Sequence, residues 1–105
     1  MALTPEGKVK ARVKAWLQAR GIWHCTPVGS QFGNAGVPDV LCCWDGRFLG
    51  IEVKAPGKRT NTTDMQKRQL AGITAAGGTA IVVDDVTQLE DLLCHTPNLT
   101  AAAIT

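Results

Sequence analysis

The sequence has no long hydrophobic run. None of its apolar stretches approaches the roughly 20 residues that a membrane-spanning helix requires. Its first residues, Met1 to Glu6, also lack the basic and apolar regions of a signal peptide. We therefore expect an intracellular protein, located in the cytoplasm or, if it is viral, in the host cytoplasm.

A large excess of charge of one sign is also missing. The formal net charge is +2, which excludes a strongly basic architectural DNA-binding protein but leaves room for a local basic face. Hydrophobic residues make up 45% and charged residues 19%, as in ordinary soluble globular proteins. For 105 residues we expect one domain over 1–105, with a core at about 4–94 and a partly ordered tail at 95–105.

The cysteines and histidines lack the pairing that is typical of zinc sites. There are four cysteines and two histidines, but none of them forms a CxxC or HxxxH pair. Cys42 and Cys43 are adjacent, so on a strand they would point to opposite faces. We therefore expect small, mostly buried, reduced thiols rather than metal ligands.

Local signals predict an α/β order of helix, three strands, helix, strand and helix. Thr4 and Pro5 are typical of a helix start, and Gly21 of a helix end. Asp45-Gly46 lies between two apolar runs, which predicts a hairpin. The predicted segments are a helix at 4–21, strands at 22–28, 39–44 and 47–53, a helix from a capping box at 63–66 to Gly77, a strand at 79–84 and a helix at 86–94.

The connections complete this prediction. Residues 29–38 contain three glycines and no hydrophobic period, which indicates a mobile loop. The hairpin is apolar on both faces, so helices should cover both, and the helix before the last strand should make that strand parallel to its neighbour. We predict a helix–sheet–helix sandwich, in the order αβββαβ(α), around a four-stranded mixed sheet.

Two acidic residues fall opposite each other in the predicted hairpin. If Asp45-Gly46 forms a two-residue turn, Asp39 lies opposite Glu52, with Cβ atoms roughly 4.5–5.5 Å apart. Such a pair repels itself unless a cation such as Mg²⁺ bridges it. Lys54 emerges on the same face. The alternative is a solvated strand end, but Glu52 interrupts the most apolar part of the hairpin, where an unpaired carboxylate is unfavourable.

These residues form the pattern of the PD-(D/E)xK nucleases. The chain resembles more narrowly the virus-type replication–repair nuclease (VRR-NUC) domain, over about residues 4–85. The matching features are Glu6 in the first helix, Gly36 to Val40 (GVPDV), Ile51 to Lys54 (IEVK), and Gln66 in a helix that leads to Gly78 and a valine-rich strand. The resemblance implies a restriction-endonuclease-like fold and phosphodiester cleavage that depends on Mg²⁺ or Mn²⁺.

The resemblance also implies roles for individual residues. Asp39 and Glu52 would bind the metal through their side chains, with the Val53 carbonyl as a third ligand. Lys54 would orient the attacking water or stabilise the developing charge. Helical spacing places Glu6 in the apolar stripe of the first helix, so we expect it to face the sheet rather than solvent. For Glu6 we weigh a site role against an acid that merely favours the helix start, and for Gln66 a site role against the capping box alone.

Several further residues are candidates for contact with nucleic acid. The basic side chains that follow the predicted active-site strand could neutralise phosphates, although a solvated surface explains them equally well; they are Lys58, Arg59, Lys67 and Arg68. Trp23 and Trp44 are expected in the core rather than as base-stacking platforms.

We expect a homodimeric DNA endonuclease that acts on structured or branched DNA in replication, repair or recombination. A domain this small has little surface for gripping such a substrate alone, and a twofold pair offers two active sites for two strands. Two alternatives remain open. One is a non-catalytic nucleic-acid-binding module of the same fold, and the other is an interaction protein with an incidental motif.

Overall fold

The computed structural model describes residues 3–27 and 35–95. In these residues a four-stranded mixed sheet is flanked by three helices. The elements in chain order are α1 (Pro5–Ala19), β1 (Trp23–Cys25), β2 (Val40–Trp44), β3 (Arg47–Val53), α2 (Asp64–Ala75), β4 (Thr79–Val83) and α3 (Thr87–His95). The predicted α/β class and element order are confirmed.

The first helix begins and packs as its sequence predicts. The Thr4 hydroxyl accepts a hydrogen bond from the Gly7 amide at 3.0 Å, which caps the helix start. Gly21 follows the helix in the left-handed region, with φ of 67°. One stripe of α1 is buried against the sheet and consists of Val9, Val13, Trp16 and Leu17.

The hairpin has the predicted register. Asp45 and Gly46 both have positive φ, 51° and 78°, as a type I′ turn requires. Trp44 therefore pairs with Arg47. The strand order is β1-β2-β3-β4, with antiparallel pairs up to β3 and a parallel pair between β3 and β4.

Some predicted boundaries differ from the observed ones. The strand predicted at 22–28 is only three residues long, and the helix predicted to reach Gly77 ends at Ala75. In the loop predicted at 29–38, residues 29–34 lie outside the described residues, and so does the predicted tail after His95. No described helix is long and apolar enough to cross a membrane.

The hydrophobic core lies between one face of the sheet and helices α1 and α3. Strand side chains alternate, so every second residue of β2 and β3 points into this core. The strands and α3 contribute Val40, Cys42, Leu49, Ile51, Val53, Val83 and Leu89, all at most 3% exposed. Trp44 is on the same face and packs, partly buried, against this cluster.

The opposite face is covered only in part. Helix α2 packs there against β4 and β3, so the helix–sheet–helix sandwich is confirmed. Beyond α2, Phe48 is 44% and Trp23 is 64% exposed. The expected core position of Trp23 is therefore wrong, because β1 is the edge strand farthest from α2.

The cysteines are less buried than expected. All four are free thiols, but only Cys42 is buried, whereas Cys25, Cys43 and Cys94 are exposed. Burial, with a smaller effect from the neighbouring Cys25, raises the pKa of Cys42 to about 11. The prediction of mostly buried thiols is wrong because Cys43 points to the partly covered face of the sheet.

Candidate active site

Asp39 lies just before β2, beside the end of β3. The ladder between these strands ends with Val40 opposite Ile51, so one further step sets Asp39 opposite Glu52, as the turn geometry predicts. The Asp39 carboxylate turns toward the neighbouring backbone, where its Oδ2 accepts a hydrogen bond from the Val53 amide at 2.8 Å. This bond holds the carboxylate against the last residue of β3.

The Val53 carbonyl points toward the same side as this carboxylate. In an extended strand the N–H and C=O of one residue point in the same direction, and those of the next residue point in the opposite direction. Val53 directs its N–H to Asp39, whereas Lys54 directs its N–H to the Val83 carbonyl of β4 at 2.9 Å. The orientation of the Val53 carbonyl therefore suits the ligand role that the family resemblance implies.

Glu52 is a buried acid, with only 3% of the residue exposed. Its Oε2 accepts a hydrogen bond from Gln66 Nε2 at 2.7 Å and lies 3.6 Å from Lys54 Nζ. The pKa of Glu52 is raised to about 7, mainly by burial and also by the negative charge of Asp39, while the charge of Lys54 acts in the opposite direction. Glu52 therefore gains and loses its proton near neutral pH.

Lys54 is also largely buried, at 9% exposure. Its ammonium group donates a hydrogen bond to Gln66 Oε1 at 2.9 Å. Lys54, Glu52 and Gln66 thus form one closed group of polar contacts. A buried lysine that contacts an acid and an amide has a defined position, unlike a surface lysine with free rotamers.

Gln66 fills both of the roles that the sequence leaves open. It completes the capping box of α2. Its side-chain Oε1 accepts a hydrogen bond from the Thr63 backbone amide at 2.9 Å, and its own backbone amide donates to the Thr63 hydroxyl at 3.1 Å. The same side chain contacts Glu52 of β3 and Lys54, which directly follows that strand. The start of α2 is therefore joined to the active-site end of β3.

Gly36 allows the segment before Asp39 to lie against α2, a contact that the sequence analysis missed. Its φ is 79°, and a Cβ at this position would lie 2.6 Å from the carbonyl carbon and oxygen of Met65. Gln69 donates to the neighbouring Ala35 carbonyl at 3.1 Å. A signal was available, since glycine is the default residue where the backbone has positive φ or approaches another segment closely.

Glu6 is not buried against the sheet. The buried stripe of α1 begins at Val9, and Glu6 in the first turn is exposed, so its predicted inward orientation is wrong. One turn later, Lys10 Nζ lies 4.0 Å from Asp39 Oδ1, a contact that the sequence analysis also missed. Glu6 and Lys10 are four residues apart, so they lie on the same side of α1, the side that approaches Asp39. A site role for Glu6 stays a prediction.

The four basic candidates for phosphate contact are all exposed: Lys58, Arg59, Lys67 and Arg68. One of them has a partner, because Arg59 Nε lies 3.6 Å from Asp84 Oδ1. Asp84, just after β4, also accepts from the Gly57 amide at 2.9 Å, and this bond is the main reason why the pKa of Asp84 lies below its usual range. Asp84 thus anchors the basic connection between β3 and α2.

The donor set fits a hard divalent cation. No group of three or more histidine, cysteine or acidic residues suited to a metal occurs within residues 3–27 and 35–95. A cation here would have the carboxylates of Asp39 and Glu52 and the Val53 carbonyl, with water completing the shell. Mg²⁺ is usually bound by one or two carboxylates and keeps several waters, so these all-oxygen ligands suit it.

Comparison with known proteins gives one structural relative for this fold and site. A solved structure described as a VRR_NUC domain is 29% identical in sequence, with a TM-score of 0.70. The similarity covers 90% of this chain and 99% of that chain. No protein-family profile matches this chain, and no curated protein matches it. The resemblance to VRR-NUC domains is confirmed, and the chain has the fold of a nuclease-type domain.

Proposed function

We propose that this protein is a DNA endonuclease that hydrolyses phosphodiester bonds with the help of Mg²⁺ or Mn²⁺. The observation that carries the proposal is the pairing of Asp39 with the buried Glu52, whose raised pKa reflects burial and the neighbouring negative charge. An acid that is buried beside a second carboxylate is unfavourable without a cation, and a buried acid with a perturbed pKa is typical of a functional site.

The residues of the site have different roles in the proposed hydrolysis. Asp39, Glu52 and the Val53 carbonyl would hold the metal. When bound, the metal supplies a Lewis acid that polarises the phosphate and lowers the pKa of a water molecule. The hydrogen bond from Val53 N to Asp39 and the bond from Gln66 to Glu52 keep both carboxylates in place before the substrate arrives. This preorganisation favours the charge that develops in the reaction.

Lys54 supplies the positive charge of the site. Its ammonium group has three donors, and one of them is used by Gln66 Oε1. The remaining donors can stabilise negative charge on the scissile phosphate or orient the attacking water. The contact with Gln66 limits the movement of Lys54, so its charge is already directed when DNA binds.

DNA is the proposed substrate, and structured or branched DNA in replication, repair or recombination is the proposed class. Lys58 and Arg59 follow the active-site strand directly, and Lys67 and Arg68 lie in the first turns of α2, next to Gln66. Exposed cations at these positions suit contacts with phosphates on either side of the cleaved bond. We propose that the protein acts inside the cell.

A cleavage assay tests this proposal. Purified protein is incubated with labelled nicked, flapped, four-way and plain duplex DNA in Mg²⁺, Mn²⁺ or EDTA. We expect products only with metal, and none from Glu52→Gln, which keeps the shape of the side chain. Metal-dependent binding without products from any substrate would instead support a non-catalytic nucleic-acid-binding module. An interaction protein with an incidental motif would bind neither DNA nor metal.

We also propose that the protein is a homodimer. The argument is size, because a chain of 105 residues offers little surface for holding a branched substrate, whereas a twofold pair presents two sites. Light scattering at micromolar concentrations tests this directly. We expect twice the chain mass of 11.1 kDa, and a mass of one chain across the whole range would contradict the proposal.

A further inference from the structure

An exposed aromatic row crosses three strands of the sheet. Trp23 of β1 pairs with Cys43 of β2, and Cys43 pairs with Phe48 of β3, so the three side chains lie side by side on one face. Trp23 is 64% and Phe48 is 44% exposed, and Cys43 is exposed as well. Large aromatic side chains normally bury most of their surface, so two exposed rings in one row indicate a contact surface.

The aromatic row is on the same face of the sheet as the candidate active site. Phe48, Gly50 and Glu52 alternate with core residues along β3, so all three point away from the core. Phe48 and Glu52 are four positions apart, which corresponds to about 13 Å along the strand. A DNA strand whose phosphate lies at Glu52 would therefore reach the row within a few nucleotides.

Gly50 separates the two parts of this face. A Cβ at Gly50 would lie 2.9 Å from Ile73 Cδ1 and 3.1 Å from Pro38 Cγ, so these two side chains cover β3 at Gly50. The aromatic row is thus apart from the acidic site, on the far side of a small apolar ridge. The arrangement suits a DNA strand that leaves its duplex and bends over the ridge. Only unpaired bases can place their faces on the aromatic rings of a protein.

A groove and a cation adjoin Phe48. The groove is lined by Phe48, Gln69, Gly72, Ile73, Ala76 and Gly78. Arg68 lies one helical turn before Gly72, and Lys67 precedes it, so positive charge borders the groove on α2. Aromatic rings beside exposed cations are the combination that single-stranded nucleic acid binds, through base stacking and phosphate contacts.

We propose that the Trp23–Cys43–Phe48 row is a stacking platform for unpaired bases of the DNA that the active site cleaves. This inference rests on the proposed nuclease function and specifies its substrate as DNA with a single-stranded segment next to the cleaved bond. Stacking does not distinguish between bases, so the platform selects the unpaired structure of the DNA rather than its sequence.

Binding measurements without cleavage test the platform. Affinity is measured in EDTA for a duplex with an unpaired tail and for the same duplex without it. We expect Trp23→Ala and Phe48→Ala to bind the tailed DNA roughly 5- to 150-fold more weakly, the range of one lost base–aromatic contact. Trp23→Phe should retain most of the affinity. The control Leu3→Ala, which removes a side chain of a residue that is 55% exposed and lies before α1, should bind as the wild type does.

A spectroscopic measurement locates the contact. 2-Aminopurine placed along the tail should be quenched by the wild type at positions a few nucleotides from the junction, and this quenching should be lost in Trp23→Ala. Equal affinity of Trp23→Ala and the wild type for the tailed DNA would overturn the platform. So would a mass reduced to one chain in Trp23→Ala but not in Leu3→Ala, because the row would then join two copies.

The two proposals fail in different ways. If the wild type cleaves DNA but Trp23→Ala binds tailed DNA unchanged, the platform is wrong and the endonuclease stands. If the wild type cleaves no DNA while Trp23→Ala loses affinity for the tail, the endonuclease is wrong and the row is still a stacking surface.

Discussion

The side-chain amide of Gln66 donates a hydrogen bond of 2.7 Å to the carboxyl group of Glu52. The first residue is part of the cap of α2 and the second lies within β3, fourteen positions earlier. Because Gln66 also accepts from Lys54, one amide group orients both the carboxyl group and the ammonium group of the candidate site. Formation of α2 and assembly of the active site are therefore coupled.

Removal of either acid should abolish cleavage. We expect no product from Asp39→Asn or Glu52→Ala in Mg²⁺, because each change removes a carboxylate from the proposed metal site. Circular dichroism should show that both variants stay folded. Full activity in either variant would mean that the reaction takes place elsewhere.

The stability of the metal-free protein should fall as pH rises. The pKa of Glu52 is about 7 in the folded chain and near 4.5 when exposed, so between these values the folded state binds a proton that the unfolded state lacks. Its free energy of unfolding should therefore fall from pH 4.5 to 7, by at most about 3 kcal/mol. Glu52→Gln lacks this titration and should become more stable than the wild type over that range.

Denaturant unfolding at several pH values in EDTA measures this difference. Glu90→Gln, which removes an exposed acid of α3, is the control and should follow the wild type. Parallel pH profiles for the wild type and Glu52→Gln would show that Glu52 titrates normally.

Metal binding should stabilise the protein and should itself depend on pH. A ligand that binds only the folded state stabilises it by mass action, by about 2.7 kcal/mol at a concentration of 100 times Kd. Since Glu52 must lose its proton to bind the cation, the affinity should weaken up to about tenfold for each pH unit below 7. Thermal unfolding in Mn²⁺ at pH 6, 7 and 8 checks both effects. Equal metal-induced shifts of Tm in the wild type and Glu52→Gln would place the cation at another site.

Lys54→Met should separate binding from catalysis. Methionine keeps an unbranched stem and removes the charge, so the single-turnover rate should fall roughly 10²- to 10³-fold. Binding of DNA should weaken little. The slope of the logarithm of the binding constant against the logarithm of the salt concentration should become smaller by about one unit. The assay is best run at pH 8.5, because loss of Lys54 removes a charge that lowers the pKa of Glu52. Cleavage at the wild-type rate would exclude Lys54 from the active site.

Gly36→Ala should destabilise the protein more than Gly57→Ala. Both glycines have nearly the same positive φ, 79° and 78°, so both variants share a backbone strain of about 1–2 kcal/mol. Only at Gly36 would the new Cβ meet the Met65 backbone, whereas nothing lies within 4 Å at Gly57. We expect an additional loss of about 1–3 kcal/mol for Gly36→Ala in denaturant unfolding. Equal losses would show that the segment before Asp39 adapts freely.

The features that the sequence predicted correctly depend on neighbouring residues along the chain. Asp45-Gly46 forms a two-residue turn, and the length of that turn sets the register that brings Asp39 opposite Glu52. The caps at Thr4 and Thr63 likewise use side chains within three residues of the amides that they satisfy. Local geometry of this kind can be read without knowledge of the rest of the fold.

The incorrect predictions concern side chains whose burial depends on an element distant in the sequence. Trp23 is apolar and lies in a strand, yet it is exposed because α2 covers only β3 and β4. The sequence pattern identified the two faces of the sheet but not the extent of the helix above one of them. Glu6 was placed by helical period alone, which does not reveal where along α1 the core begins.

By itself, the sequence determined the order of the elements, the hairpin register and the position of Asp39 beside Glu52 and Lys54, where β2 begins and β3 ends. Only the tertiary structure decided that Gln66 links Glu52 with Lys54, that Lys10 approaches Asp39, and that Asp84 holds Arg59. The physical reason is the separation along the chain of the residues that interact. Turns and caps are set within a few residues, whereas these contacts join residues 12 to 29 positions apart, and their geometry depends on how the helices pack against the sheet.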